Sequence, residues 1–411
     1  MASIVPFKAV RAPKQKVNLV PSRSYEEYDE QDLEAQLAYN PFTFLQIINP
    51  GYRFHKHVSG EERFQLVKNR YLEFKEEQVL VQDEKACFYL YKMETRNNRF
   101  CGLIAGTSAA DYKNDLIKKH EDTLEKREQL FTQYLKTVGF NAEPVLLTYP
   151  DNDQLEQLFM SIMQQYPEYE FTTTDRVAHF LWVIDKEHHI SQIKQLFDAL
   201  GSVYIADGHH RSSSSNLLTD QMSAENTSHN GTEAYNYFMS YLIPESDLKI
   251  YEFNRLVKDL NGLDKDSFLM KLDRWFRIEN RGVELYKPSK KHHFGMYLDG
   301  EFYSLYLRKS VYEFTDALSS LDTQILYKTV LEPILGITDL RNDRRIEYGY
   351  GKHNVIKMKN LIDTGEYAVG FSLIPVTVDE MKGIADNGLT MPPKSTYIEP
   401  KLRSGLTIYE F

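Results

Sequence analysis

The sequence predicts an α+β fold in which mixed sheets are covered by helices, and three observations carry that expectation. Short apolar runs alternate with amphipathic stretches between Pro144 and Ala206. Two pairs of apolar runs flank tight polar turns, at Arg96-Asn97-Asn98 and at Asp299-Gly300. Hydrophobic residues make up 42% of 411, enough to fill substantial cores. Alternation lays helices against a sheet, and hairpins make part of that sheet antiparallel.

Taken in order, the apolar runs from Ile4 to Ala12 and around Phe42 to Ile48 are short and bounded by Pro and Asn, so they read as strands. The acidic SRSYEEYDEQDLEAQLAYN between them reads as helix, and a second helix is expected over residues 60–78. CFYLYKM and FCGLIAGTSA form a hairpin. In DYKNDLIKKHEDTLEKREQLFTQYLKTVGF, residues Leu124, Leu130, Phe131, Tyr134 and Leu135 mark one apolar helix face and Gly139 a stop, with Asp122 and Thr123 in the first turn. PVLLTY is then a strand, 153–165 a helix, HFLWVI a strand, 191–200 a helix, SVYIA a strand and 211–218 a helix. Residues 219–233 are polar and rich in Ser, Asn and Thr, which reads as a loop or lid. Beyond them YFMSYLIP, HHFGMYLDG and EFYSLYLRK are strands, the last two joined by the Asp299-Gly300 turn, with helices over 267–276 and 321–331. No internal repeat is visible.

Composition narrows the function. With 49 Lys and Arg against 59 Asp and Glu the formal charge is −10, which repels polyanions, so nucleic acid is not an expected partner. Cys87 and Cys101 are the only cysteines, which excludes a disulfide framework and a Cys-rich zinc site. No apolar run reaches the ~18 residues of a membrane span and the N-terminus lacks a signal-type core, so the expected setting is cytoplasmic, with no membrane. The pairs His55/His57, His188/His189 and His292/His293 lack zinc-site spacing. Neither a Walker nor a Rossmann glycine motif occurs.

The chemistry-bearing stretch is VYIADGHHRSSSSNLL, residues 203–218. An apolar strand stops at Asp207-Gly208, where glycine permits a sharp turn, and a helix follows whose free N–H groups attract anions. Arg211 supplies a planar fork for phosphate oxygens, His209, His210 and Ser212 supply donors, and Asp207 would hold Mg²⁺ or a substrate hydroxyl. The competing reading is a surface turn before a Ser-capped helix. In LIKKHEDT, His120 and Glu121 precede a helix, where a carboxylate can take a proton from an alcohol; the competing reading is acids that suit a helix dipole. TMPPKSTYIEPKLRSGL, residues 390–406, is punctuated by prolines and carries Lys394, Lys401 and Arg403, a set that would close over a phosphate or carboxylate unless it is an ordinary surface loop. DLRNDRRIEYGYG, residues 339–351, reads as a solvated charged turn.

ADGHHR, IKKHEDT, NPFTFL, RIEYGYG and MPPKSTYIEPKLRSGL together resemble the bacterial and archaeal family catalogued as domain of unknown function number one thousand and fifteen, over nearly the whole chain. The central third is also similar to free-serine kinases of the ParB/sulfiredoxin-like fold, which pair a K-x-H-E stretch with a D-G-H-x-R turn. Lys119 stands where those kinases often have Pro. His209 stands where sulfiredoxins have Cys, so sulfinic acid reduction is not implied.

This second resemblance implies a ParB/sulfiredoxin-like nucleotide-binding region over 101–225, between an N-terminal mixed region over 1–100 and a C-terminal α+β region over 226–411. It implies a kinase that passes phosphate from ATP or ADP, with Mg²⁺, to free L-serine. Glu121 and Asp207 would then be catalytic, with Asp207 as the metal ligand. Residues Gly208, His209, His210, Arg211 and Ser212 would hold phosphate, and His120, Lys394 and Arg403 the amino-acid substrate. The alternative is a nucleotide sensor without catalysis. A homodimer is compatible with either.

Overall fold

The computed structural model describes residues 2–349 and 354–411, and the chain is α+β. It groups into two compact units. One comprises Met1–Lys118, Thr123–Leu248 and Pro400–Phe411, the other Lys119–Asp122 and Lys249–Glu399. The hairpin of Phe88–Glu94 with Arg99–Ser108 runs across position 100, and Tyr237–Pro244, beyond position 225, pairs with Arg99–Ser108. Those two positions therefore do not divide the sheet of the first unit.

That sheet has nine strands: β1 (Ile4–Val5), β2 (Phe88–Glu94), β3 (Arg99–Ser108), β4 (Ile117–Lys118), β5 (Val145–Tyr149), β6 (Tyr169–Thr172), β7 (Ala178–Ile184), β8 (Val203–Asp207) and β9 (Tyr237–Pro244). Their order is β4-β8-β5-β9-β3-β2-β7-β6, with β1 on β3. The pairs β4–β8 and β5–β9 are parallel and the others antiparallel. The longer helices of this unit are α1 (Glu30–Tyr39), α2 (Gly60–Glu76), α3 (Glu125–Val138), α4 (Asp153–Met163), α5 (Glu187–Ala199) and α6 (His209–Glu225). On one face Leu90, Leu103, Leu147, Ile205 and Leu242 pack with Leu155 and Phe159 of α4 and Ile193 and Phe197 of α5. The alternate residues Tyr89, Tyr91, Leu146 and Tyr241 are buried as well. With both faces covered, these strands read as continuous apolar runs without alternation.

Three local expectations are corrected. Leu45–Ile48 is a helical turn rather than a strand; Leu45 and Ile47 are both buried, and so short a buried run shows no period. Helix α3 starts at Glu125 after Leu124, so Asp122 and Thr123 precede it. Its buried stripe is Thr132, Leu135 and Val138, while Leu124, Leu130 and Phe131 are exposed. The cause is its partner: α3 packs on α6, whose row from Ser212 to Ser215 is small and buried, and the Thr132 hydroxyl donates to Ser214 O at 3.2 Å. Finally, α6 continues through residues 219–225 and leaves only 226–233 as loop. Its last two turns are largely polar, with Asp220, Gln221 and Glu225 exposed, and Thr219 is tied to Tyr235 O at 2.6 Å.

The second unit carries a six-stranded antiparallel sheet of β10 (Asn254–Val257), β11 (Phe276–Gly282), β12 (His293–Leu298), β13 (Glu301–Leu307), β14 (Ile346–Gly349) and β15 (Val369–Ser372), in the order β11-β13-β12-β15-β10-β14. Asp299 (φ 50°) and Gly300 (φ 79°) make the β12–β13 turn, the left-handed pair that matches strand twist. Phe294, Met296, Leu305 and Phe371 fill one face. Leu256, Tyr297 and Phe302 pack the other against α7 (Asn354–Asp363). In the 339–351 stretch Arg345 pairs with Asp343 at 2.8 Å; Tyr350 and Gly351 lie outside the described residues. Among the described residues no helix is long and apolar enough to cross a membrane.

Candidate functional site

Strand β8 delivers Asp207 to the carboxyl edge of the first sheet, and Gly208 (φ 99°) turns the chain directly into α6. Gly208 at the N-cap has no side chain to cap the helix, and no acidic residue sits in the first turn of α6, where the positive end of a helix dipole lies. Arg211 folds back over Gly208. A Cβ at Gly208 would meet Arg211 Nε at 2.8 Å and Nη2 at 3.0 Å, so glycine is required for space as well as for φ.

Around this turn the charges are matched. Arg211 Nη2 donates to Asp207 Oδ2 at 3.1 Å, and Nη1 pairs with Glu143. Glu143 also accepts from Ser24 at 3.3 Å and from Ser404 at 3.1 Å. Lys401 Nζ lies 3.5 Å from Asp207 Oδ1. Two cations thus face two carboxylates, and an incoming oxyanion would exchange for a carboxylate on Arg211. The predicted residues Asp207, Gly208 and Arg211 come together here, joined by Lys401. Nothing in the sequence marked Glu143, a single acid between Ala142 and Pro144 in a turn.

The serine row has a different role from the turn. Ser212 donates to Gly208 O at 3.3 Å, Ser214 to His210 O at 2.7 Å, and Ser213 to Glu128. These bonds satisfy hydroxyls buried between helices. His209 is buried at the start of α6.

His120 and Glu121 belong to the second unit; His120 is buried, and its carbonyl accepts from Met391 N at 2.9 Å. Asp122 next to them accepts from Thr390 and, through its carbonyl, from Arg341. Arg403 is in the first unit, with Nη2 at 2.8 and 2.6 Å from the Asp175 oxygens and 3.1 Å from Thr173 Oγ1. Burial raises the Asp175 carboxyl, but the Thr173 hydroxyl and Arg403 outweigh it and hold the group below its ordinary value. Burial first, and then the charge of Arg403, push the neighbouring His179 down to about 3. Lys394 is in the second unit, left-handed at φ 57°. A surface groove lined by Gln157, His188, His189 and Gln192 shares no residue with the turn.

Among the described residues no three His, Cys, Asp or Glu side chains converge as a metal cage. Asp207 and Glu143 both pair with the one guanidinium of Arg211, so either carboxylate would have to leave Arg211 before it could hold a cation.

A family model described as protein of unknown function (DUF1015) matches residues 4–324. The chain belongs to that family. No curated protein matches this DUF1015 chain. Solved structures similar to it include a free serine kinase in complex with AMP (13% identity, 74% of this chain, 92% of that chain, TM-score 0.33). Another is SbnI with a C-terminal truncation from Staphylococcus aureus (13%, 74%, 87%, TM-score 0.39). A conserved hypothetical protein from Pyrococcus furiosus is a third (13%, 74%, 95%, TM-score 0.33).

Proposed function

We propose that this DUF1015 protein is a cytoplasmic small-molecule kinase that transfers phosphate from ATP or ADP to the hydroxyl of free L-serine, on a ParB/sulfiredoxin-like framework. The observation that carries this reading is the Asp207 turn: the start of a 17-residue helix, entered through Gly208, with Arg211 and Lys401 beside it. Phosphoryl transfer asks for positioning and charge neutralisation more than for covalent chemistry. Donor phosphates would take the N–H groups of the first turn, His209 to Arg211, and the Arg211 fork, with His210 as a further donor; the Ser212 N–H is committed to Gly208 O at 3.0 Å, so Ser212 would contribute only by its hydroxyl. Asp207, freed of Arg211, would hold Mg²⁺.

Glu121 would accept the proton of the serine hydroxyl as its oxygen bonds to phosphorus and the bond to the nucleotide's bridging oxygen breaks. His120, Lys394 and Arg403 remain proposed substrate contacts. The ion pair of Arg403 with Asp175 would have to open for that role.

One observation favours a sensor instead, since both cations at the turn are already matched by carboxylates and nucleotide need only exchange for them. Calorimetry with ATP and ADP plus an assay for O-phosphoserine tests both readings. Binding with product formation supports the kinase, binding without product supports the sensor, and absence of binding removes both.

A further inference from the structure

The second unit contains an arginine for which sequence gave no signal. Arg255 sits inside β10 at 3% exposure, and Nη1 donates to Phe253 O and Nη2 to Lys394 O at 3.1 Å. Its guanidinium carbon lies 5.5 Å from the centre of the Tyr348 ring. Among the described residues no carboxylate comes within ion-pair distance of it, and burial lowers it to about 10. Two neutral carbonyls and a ring face satisfy the donors but leave the charge uncompensated, a costly arrangement inside a protein.

A second cation stands next to it. The carbonyl that Arg255 bonds belongs to Lys394, which keeps a left-handed backbone at φ 57° where non-glycine residues are uncommon and strain gathers at functional positions. Ser395 fixes this bend by donating to Pro392 O at 2.6 Å and contacting Thr323 Oγ1 at 3.2 Å. Lys394 Nζ lies 5.6 Å from the centre of the Phe253 ring, and again no described carboxylate pairs with it. Phe253 packs edge-on against Tyr348 and Tyr397. The acids beside these residues have other partners: Asp322, next to Thr323, accepts from His292 N at 2.9 Å, and Glu252, next to Phe253, pairs with Lys287 at 2.9 Å.

We infer that Arg255 and Lys394 form an oxyanion site in the second unit, with Phe253, Tyr348 and Tyr397 as its apolar wall and a carboxylate or phosphate group as its ligand. A planar buried fork plus a mobile point charge suits either group. The site is built without any residue of the Asp207 turn; it shares Lys394 with the kinase reading, and R211M, which alters the turn alone, tells the two apart.

The test is titration of the full chain with sodium phosphate and, separately, sodium acetate at constant ionic strength, following calorimetric heat. Wild type, K394A, K394E, R255M and R211M are compared. The expected result is saturable binding of at least one anion that persists in R211M, weakens on the order of tenfold in K394A, and vanishes in K394E and R255M. Phosphate or acetate alone identifies the group. Should R255M not fold, the exposed Lys394 variants decide. Absence of binding by both anions, or binding insensitive to both Lys394 substitutions, overturns the proposal.

Discussion

Replacing Gly208 by Ala tests the geometry on which the phosphate turn depends. Alanine at φ 99° meets the left-handed penalty, ~1–2 kcal/mol. Its Cβ would also stand 2.8 Å from Arg211 Nε and 3.3 Å from Cζ, so the guanidinium must swing away from Asp207 and Glu143. Those pairs are partly exposed, with Arg211, Glu143 and Asp207 side chains at 23%, 27% and 41%, and together they add roughly 1 kcal/mol. The total is about 2–3 kcal/mol. Gly231 supplies the control: it lies in the same unit at φ 89° with nothing within 4 Å of a built Cβ, so G231A should cost only the backbone part. Urea denaturation of both variants measures the difference. If G208A proves no more destabilising than G231A, Arg211 is not seated over the turn and the phosphate argument loses its base.

Glu121→Gln is expected to lower serine-kinase turnover by ~10²-fold while nucleotide affinity is kept; unchanged turnover excludes Glu121 as the base. Lys401→Ala should weaken nucleotide binding severalfold with a smaller salt dependence, because one of two cations at the turn is lost; calorimetry at two salt concentrations checks this. The two units should respond oppositely to pH. His179 falls from 6.5 to about 3 on folding, through burial and then Arg403, so the unfolded chain binds the extra proton and the first unit loses stability as pH drops from about 6 to 3. Asp322 rises from 3.8 to about 7, through burial against the opposing His292 N–H, so the folded chain binds the extra proton and the second unit loses stability as pH climbs from about 4 to 7. H179Q should remove the first dependence and D322N the second, both read from urea midpoints across pH; unchanged profiles would refute the assignments.

Much of the secondary structure was legible because its signals are local. The Asp299-Gly300 hairpin, the Gly139 stop of α3 and the strand ending at Asp207 each follow from the backbone freedom of glycine or the period of neighbouring side chains. The buried stripe of α3 was not, because Thr132 and the serine row of α6 are small polar residues that become core only when two helices press together; nor was the length of α6, whose last turns are mostly polar. The same holds at the candidate site. Sequence by itself determined that Asp207, Gly208 and Arg211 share one turn, since they are four residues apart at most and chain stiffness keeps them there. Only tertiary structure decided that Glu143 and Lys401 complete that turn, and that Arg255 lies buried with its charge unmatched. Such pairings join residues far apart in the chain, and the electrostatic cost that gives them meaning exists only once folding has removed the water.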